Sequence, residues 1–258
     1  MKIVLIGAGN LATNLGKALF HAGHEILQVY SRTEESARAL ATTLKCAHTS
    51  DLSMVQSSAD VFIIALRDDV VEQVACLLRK GRENQFFVHT AGSLHVDVLP
   101  TARRGVLYPM QSFSKSKEVD FSVIPCFVES FLNEDKKLLV ALAETISNSV
   151  YEVDSDDRKY LHLAAVFCNN FANHCFALGA KLLKEHGDIP FSVMLPLIDE
   201  TASKVHKMSP HDAQTGPAVR HDKRVLDKHQ MLLATSPEML KVYELLSESI
   251  YYDQLRLD

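Results

Sequence analysis

Short apolar runs alternate with segments of helical period through the first half of the chain. Lys2–Ile6, Ile26–Tyr30, Val61–Ala65, Phe86–Val88, Val106–Leu107 and Ile124–Val128 read as buried strands. Helices are expected near Leu11–Ala22, Glu34–Leu44, Val70–Arg79 and Glu134–Ser147. This βαβ alternation predicts an α/β domain, a mostly parallel sheet covered on both faces. After Val153 the texture changes to long periodic segments with few strand signals, near Asp156–His186, Phe191–Lys207, Ala218–Ala234 and Pro237–Gln254. They predict an all-α second domain, with the boundary at residues 153/154. Thr215-Gly216-Pro217 and Ser236-Pro237-Glu238 mark starts of the last two helices, where Pro loses no needed donor.

The first strand runs into Gly7-Ala8-Gly9-Asn10-Leu11-Ala12. A lone glycine-rich turn is weak evidence, but here strand, turn and helix stand in the order of a dinucleotide cradle. Gly7 would make the tight turn, Gly9 would let a pyrophosphate approach, and Ala12 would let helix meet sheet. The free amides and dipole of the helix start favour phosphate, and Asn10 and Leu11 would line the mouth. At the tip of the second strand the chain reads Tyr30-Ser31-Arg32-Thr33, without the carboxylate that commonly bonds the ribose 2′-hydroxyl of NAD. Ser31 and Arg32 can donate to a 2′-phosphate instead, so NADP(H) is the expected cofactor. Ala65, Leu66 and Arg67, where the Val61–Ala65 run ends, are expected beside the nicotinamide ribose, with Asp68 capping the next helix.

The chain has 258 residues, 47% of them hydrophobic, and a net charge of −5. Lys and Arg are scattered, leaving no electrostatic footprint for nucleic acid or anionic membrane and favouring a small-molecule partner. Absence of a leader-like or bilayer-length apolar stretch predicts a cytoplasmic protein. The five cysteines include no C-x-x-C and read as reduced, buried thiols; the histidines show no metal-ligand spacing, so no metal is expected.

Polar residues just beyond strand ends are the candidates for chemistry. His89 and His162 are candidate proton donors, each with a structural role as the alternative. Tyr108-Pro109-Met110-Gln111-Ser112 reads as a turn shaping the cleft. At 100° per residue His162, Asn169 and Asn173 fall near one line of an otherwise apolar helix, expected to be buried, with Asn170 about a quarter-turn away. Asn170, and Gln214 in the Gly-Pro turn, are expected to position substrate.

The motifs GAGNLA, VYSR, HTAGS, GVLYPMQSFSK, HLAAVFCNNF and AQTGPAVRHD stand in this order along nearly the whole chain. Together they resemble the family with a Rossmann-like domain followed by a DUF2520 domain, in the 6-phosphogluconate-dehydrogenase-like group with pyrroline-5-carboxylate reductase and F420-dependent NADP reductase. The resemblance implies an NADP-binding first domain, a 6-phosphogluconate-dehydrogenase-like helical second domain, homodimers joined through the helical domains, and oxidoreductase activity on an unsettled substrate. The Lys-x-x-x-Asn pair of 3-hydroxyacid and ketopantoate enzymes is missing, as is the Ser/Gly-rich signature of pyrroline-5-carboxylate reductase, so neither reaction carries over. The expectation is hydride transfer to or from a small C=O or C=N substrate between the domains. A non-catalytic NADP(H)-binding sensor and a purely structural dimer stand as alternatives.

Overall fold

The computed structural model describes residues 1–255. The first half alternates β1 (Lys2–Ile6), α1 (Asn10–His21), β2 (Glu25–Tyr30), α2 (Glu34–Leu44), β3 (Ala47–Thr49), β4 (Val61–Ile64), α3 (Asp68–Leu78), β5 (Phe87–His89), β6 (Arg104–Pro109), β7 (Cys126–Ser130), α4 (Asn133–Glu144) and β8 (Val150–Glu152). The strands form one sheet in the order β3-β2-β1-β4-β5-β6-β7-β8. Every neighbouring pair is parallel except β6 and β7, which run antiparallel.

Alternate residues of β1 feed opposite cores. Ile3 and Leu5 pack with α1, α2 and α4 side chains, while Val4 and Ile6 pack with α3 side chains. All four are fully buried, each contributing about 1.5–3 kcal/mol of transfer free energy. A doubly wound sheet needs apolar residues on both faces of its central strands. That requirement explains why the strands read as continuous apolar runs. The order reverses between β1 and β4, and ligands of such sheets bind beyond the strand ends at that switch.

Helices follow: α5 (Ser155–Ala165), a π-helical turn at Val166–Phe171, α6 (Ala172–Glu185), α7 (Leu195–Lys204), α8 (Pro210–Ala213), α9 (Lys223–Leu233) and α10 (Pro237–Leu255). The chain divides into two compact units, residues 1–170 and 171–258. The break comes one helix later than the change of sequence texture at 153, because α5 is tied into the first unit. Arg158, 1% exposed, donates through Nη1 to Glu129 Oε2 on β7 and through Nη2 to the Leu94 carbonyl, 2.5 Å away. Ser155 bridges the same carboxylate, at 2.7 Å, and the amide of Val96, at 2.9 Å.

Among the described residues of the second unit only Ala218, Leu233 and Met239 are buried, and α6 buries none. The apolar helix through Cys168 and Cys175 is therefore not buried as expected, and Cys76, Cys168 and Cys175 are exposed thiols. Helix α9 begins at Lys223 rather than Ala218: Gly216 has φ +118° and His221 φ +48°, so the backbone turns until Asp222 caps the helix by accepting from the Val225 amide. No helix among the described residues is long and apolar enough to cross a membrane.

Candidate functional site

The loops at the carboxyl ends of β1, β2, β4, β5 and β6 frame the site. Gly7 follows β1 with φ +127°, and a Cβ there would overlap the carbonyl oxygen of Ala65 after β4. Only glycine lets these two loops touch. Gly9 is the N-cap of α1, makes no side-chain cap, and faces open space where a Cβ would stand. Glycine there leaves the helix start bare, with Asn10 exposed and Leu11 half-buried, while Ala12 is fully buried against the sheet. An anion-binding helix terminus with room for a pyrophosphate fits the dinucleotide expected from the sequence.

Beyond β2, Ser31 is half-buried and Arg32 exposed at the same edge. The Ser31 amide is bonded to Thr49 at 3.2 Å, which holds the tip in place and leaves the guanidinium free to reach outward. Thr33 occupies the N-cap of α2 without a side-chain bond. Beyond β4, Ala65 is buried and Leu66 half-buried; Arg67 is exposed and pairs with Asp69 at 2.7 Å. Asp68 is not the cap of α3: Arg67 holds that position, and the Asp68 carboxylate instead accepts from the Ser93 hydroxyl.

A second cluster lies beyond β6. The Tyr108 hydroxyl is 3.1 Å from His162 Nδ1, with the rings edge to face. Gly92 lets them meet: a Cβ on it would lie 2.6 Å from His162 Nδ1 and 2.8 Å from Tyr108 Cζ. Burial raises the Tyr108 phenol above its ordinary value, the charge of Asp68 adds to the rise, and Arg158 opposes it. The phenol therefore stays protonated at neutral pH. Beside the pair is a cavity of about 350 Å³ lined by Tyr108, Gln111, Ser112, His162, Asn169 and Asn170 among others. That volume suits a small ligand. Asn14, buried in α1, donates to the Asn10 and Ser114 carbonyls at 2.9 and 3.0 Å, joining the cradle to the loop that follows β6.

The candidates separate accordingly. His162 and Asn170 share the cavity, Asn170 on the π-helical turn; the wider turn breaks the 100° periodicity on which the alignment of His162, Asn169 and Asn173 depended. For His89 the surroundings favour the structural alternative over the proton donor. It is fully buried, its Nδ1 accepts from the Ala91 amide at 3.2 Å, and Nε2 has no hydrogen-bond partner. Burial, helped by the charge of Arg158, pushes its pKa down to about 3, so it is neutral at physiological pH. Gln214 lies in the second unit, exposed at the end of α8, donating to the Thr215 carbonyl at 3.1 Å. Tyr108 is the residue that sequence reasoning undervalued: its partner stands 54 positions away, and only the fold pairs them.

The family described as NADP oxidoreductase, coenzyme F420-dependent, matches residues 2–92, and the domain of unknown function DUF2520 matches residues 124–250. A provisionally named NADP oxidoreductase of Bacteroides fragilis is 53% identical, with 97% of this chain and 98% of that one covered and a TM-score of 0.91. A Thermotoga maritima protein is 21% identical over 98% of both chains, TM-score 0.75. An imine reductase of Myxococcus stipitatus, crystallised with NADP+, is 14% identical over 98% and 92% of the two chains, TM-score 0.68. No curated protein sequence matches the chain significantly. NADP(H) is the cofactor of the oxidoreductase family that the first of these relatives represents. With this relative aligned along nearly its whole length, the chain belongs to the NADP oxidoreductase family in which a Rossmann-like domain is followed by DUF2520.

Proposed function

We propose that the protein transfers hydride between NADP(H) and a small C=O or C=N substrate held in the cavity beside Tyr108 and His162. The observation that carries the reading is the bare N-terminus of α1 beside Gly9, with no side-chain cap and open space in front of it. Gly7, Gly9, Asn10, Leu11 and Ala12 would hold the pyrophosphate; Ser31 and Arg32 the 2′-phosphate; Ala65, Leu66 and Arg67 the nicotinamide end. When bound, NADPH supplies the hydride. The chain's own part is to orient the substrate through Gln111, Asn169 and Asn170 and to provide a proton from the polar side of the cavity, where His162 replaces His89 as the histidine of interest. Gln214, in the Gly-Pro turn, is a further substrate-positioning candidate.

We also infer a cytoplasmic homodimer joined through the helical unit. Three buried residues cannot stabilise a helical unit of this length. Phe176, Val193, Leu195, Leu197, Leu245 and Leu246 remain exposed on it, and a second copy of the same apolar surfaces would complete the core. Sedimentation at micromolar concentration should give a dimer; a monomer refutes this inference.

Calorimetric titration with NADPH and NADH, repeated with Arg32→Ala, tests the cradle. The expected result is a preference for NADPH that Arg32→Ala abolishes. Failure to bind either nucleotide overturns the reading. A panel of carbonyls and imines, from benzaldehyde and cyclohexanone to 2-methyl-1-pyrroline, followed by loss of NADPH absorbance, tests turnover. Tight binding with no reduction across the panel returns the non-catalytic sensor.

A further inference from the structure

Resting on the hydride-transfer reading, we propose that Tyr108 is the catalytic residue that gives the substrate its proton, and that His162 Nδ1 refills it. Three observations meet at this pair. The phenol stands at the carboxyl end of β6, where it lines the cavity together with His162. Its oxygen is within hydrogen-bond distance of Nδ1. Gly92, buried in the loop after β5, supplies the clearance that lets the two rings meet.

Tyr108 is buried while His162 is half-buried, so the phenol is sheltered from water and the imidazole has the exchange with solvent. The charged groups acting on the phenol are Asp68, which opposes its ionisation, and Arg158, which favours it; His162 is the group in direct contact. Asp68 is itself held by the Ser93 hydroxyl.

The step balances as follows. Hydride supplied by bound NADPH would form the new C–H bond at the substrate carbon, and the π pair of C=O or C=N would move to oxygen or nitrogen. The Tyr108 O–H bond breaks and its proton joins that atom, leaving a phenolate. The Nδ1–H bond of the His162 imidazolium breaks, restoring the phenol, and the imidazole regains a proton from water. In oxidation every transfer runs backwards. General acid catalysis of this kind contributes about 10²–10⁴-fold.

The test has a readout that needs neither cofactor nor substrate. In protein labelled with ¹⁵N-histidine, Tyr108→Phe is expected to shift the His162 Nδ1 signal, and Gly92→Ala is expected to shift it without removing either ring. Unchanged His162 behaviour in both variants overturns the proposal. In turnover with the fastest-reduced member of the panel, Tyr108→Phe is expected to lower kcat about 100-fold or more, with NADPH affinity unchanged. His162→Asn, which keeps a donor near the Nδ1 position but has no ring to relay a proton to the phenolate, is expected to lower kcat with KM unchanged. A Tyr108→Phe variant with parental kcat overturns the donor role. Parental protein that binds NADPH but reduces none of the panel overturns the hydride-transfer reading and the donor role together, and the hydrogen-bonded pair then stands or falls on the NMR result.

Discussion

The two glycines of the first loop should respond to the same small perturbation in opposite ways. At Gly7 an alanine is forced into φ +127°, a conformation costing about 1–3 kcal/mol for an L residue. Its Cβ also overlaps the Ala65 carbonyl. Because that neighbour is backbone, it cannot rotate aside, and overpacking adds about 1–3 kcal/mol. Gly7→Ala should therefore lose about 2–6 kcal/mol, lowering Tm on the order of 5–15 °C. At Gly9, φ is −78° and the Cβ meets nothing. The gain of about 0.4–1 kcal/mol from a stiffer unfolded chain offsets a similar loss of N-cap preference, so Gly9→Ala should stay within about 1 kcal/mol of the parent. The added methyl nevertheless stands where a pyrophosphate would approach the helix. NADPH affinity should fall at least about tenfold, about 1.4 kcal/mol. Urea and thermal unfolding without nucleotide, followed by calorimetric titration of each variant, separate the two effects. Parental affinity in Gly9→Ala, or parental stability in Gly7→Ala, would refute the assignment of these glycines.

The buried ion pair of the first unit gives a second prediction: Glu129→Ala leaves the Arg158 guanidinium without its charge partner and should cost about 3–5 kcal/mol in urea unfolding, whereas Glu129→Leu with Arg158→Met should cost far less. Equal losses in the two proteins would contradict that account. His89 predicts an acid limb of stability. Its folded pKa of about 3 lies below the ordinary 6.5, so between these values the unfolded chain takes up a proton that the folded chain refuses. The stability is complete above pH 6.5 and is lost as pH falls toward 3, about 2 kcal/mol by pH 5. His89→Asn, which can still accept from the Ala91 amide, should remove that part of the pH dependence, and an unchanged acid limb would assign it to other groups.

The central sheet was legible because its strands are apolar on both sides and its helices carry apolar stripes. Helix α2 falls on the expected residues, Glu34–Leu44. Strands β3 and β8 were missed: Ala47-His48-Thr49 and Val150-Tyr151-Glu152 are three-residue edges, mostly exposed, without an apolar run. The cradle could be read because its chemistry is local, with turn, helix start and second-strand tip each adjacent in sequence to a strand end. The Tyr108–His162 pair could not, since it depends on a helix beyond β8 returning to the end of β6. Arg158 stands in the polar first turns of α5, and only tertiary structure reveals it as a buried anchor. The π-helical turn leaves no periodic signal of its own.

The antiparallel seam between β6 and β7 works as a ruler. Glu129 sits opposite Val106, and Tyr108 is two residues further along β6, a climb of about 7 Å. Arg158 grips Glu129, and His162 lies four residues further along α5, a climb of about 6 Å. Two rods of nearly equal length, pinned together at their lower ends, thus arrive level at their upper ends, where phenol meets imidazole. The spacing of the pair is therefore written partly in strand register. A residue inserted between Arg158 and His162 would swing the imidazole by about 100°, and a two-residue slip of β7 would move the pin by about 7 Å. Either change would part the pair with every side chain of the cavity still in the sequence.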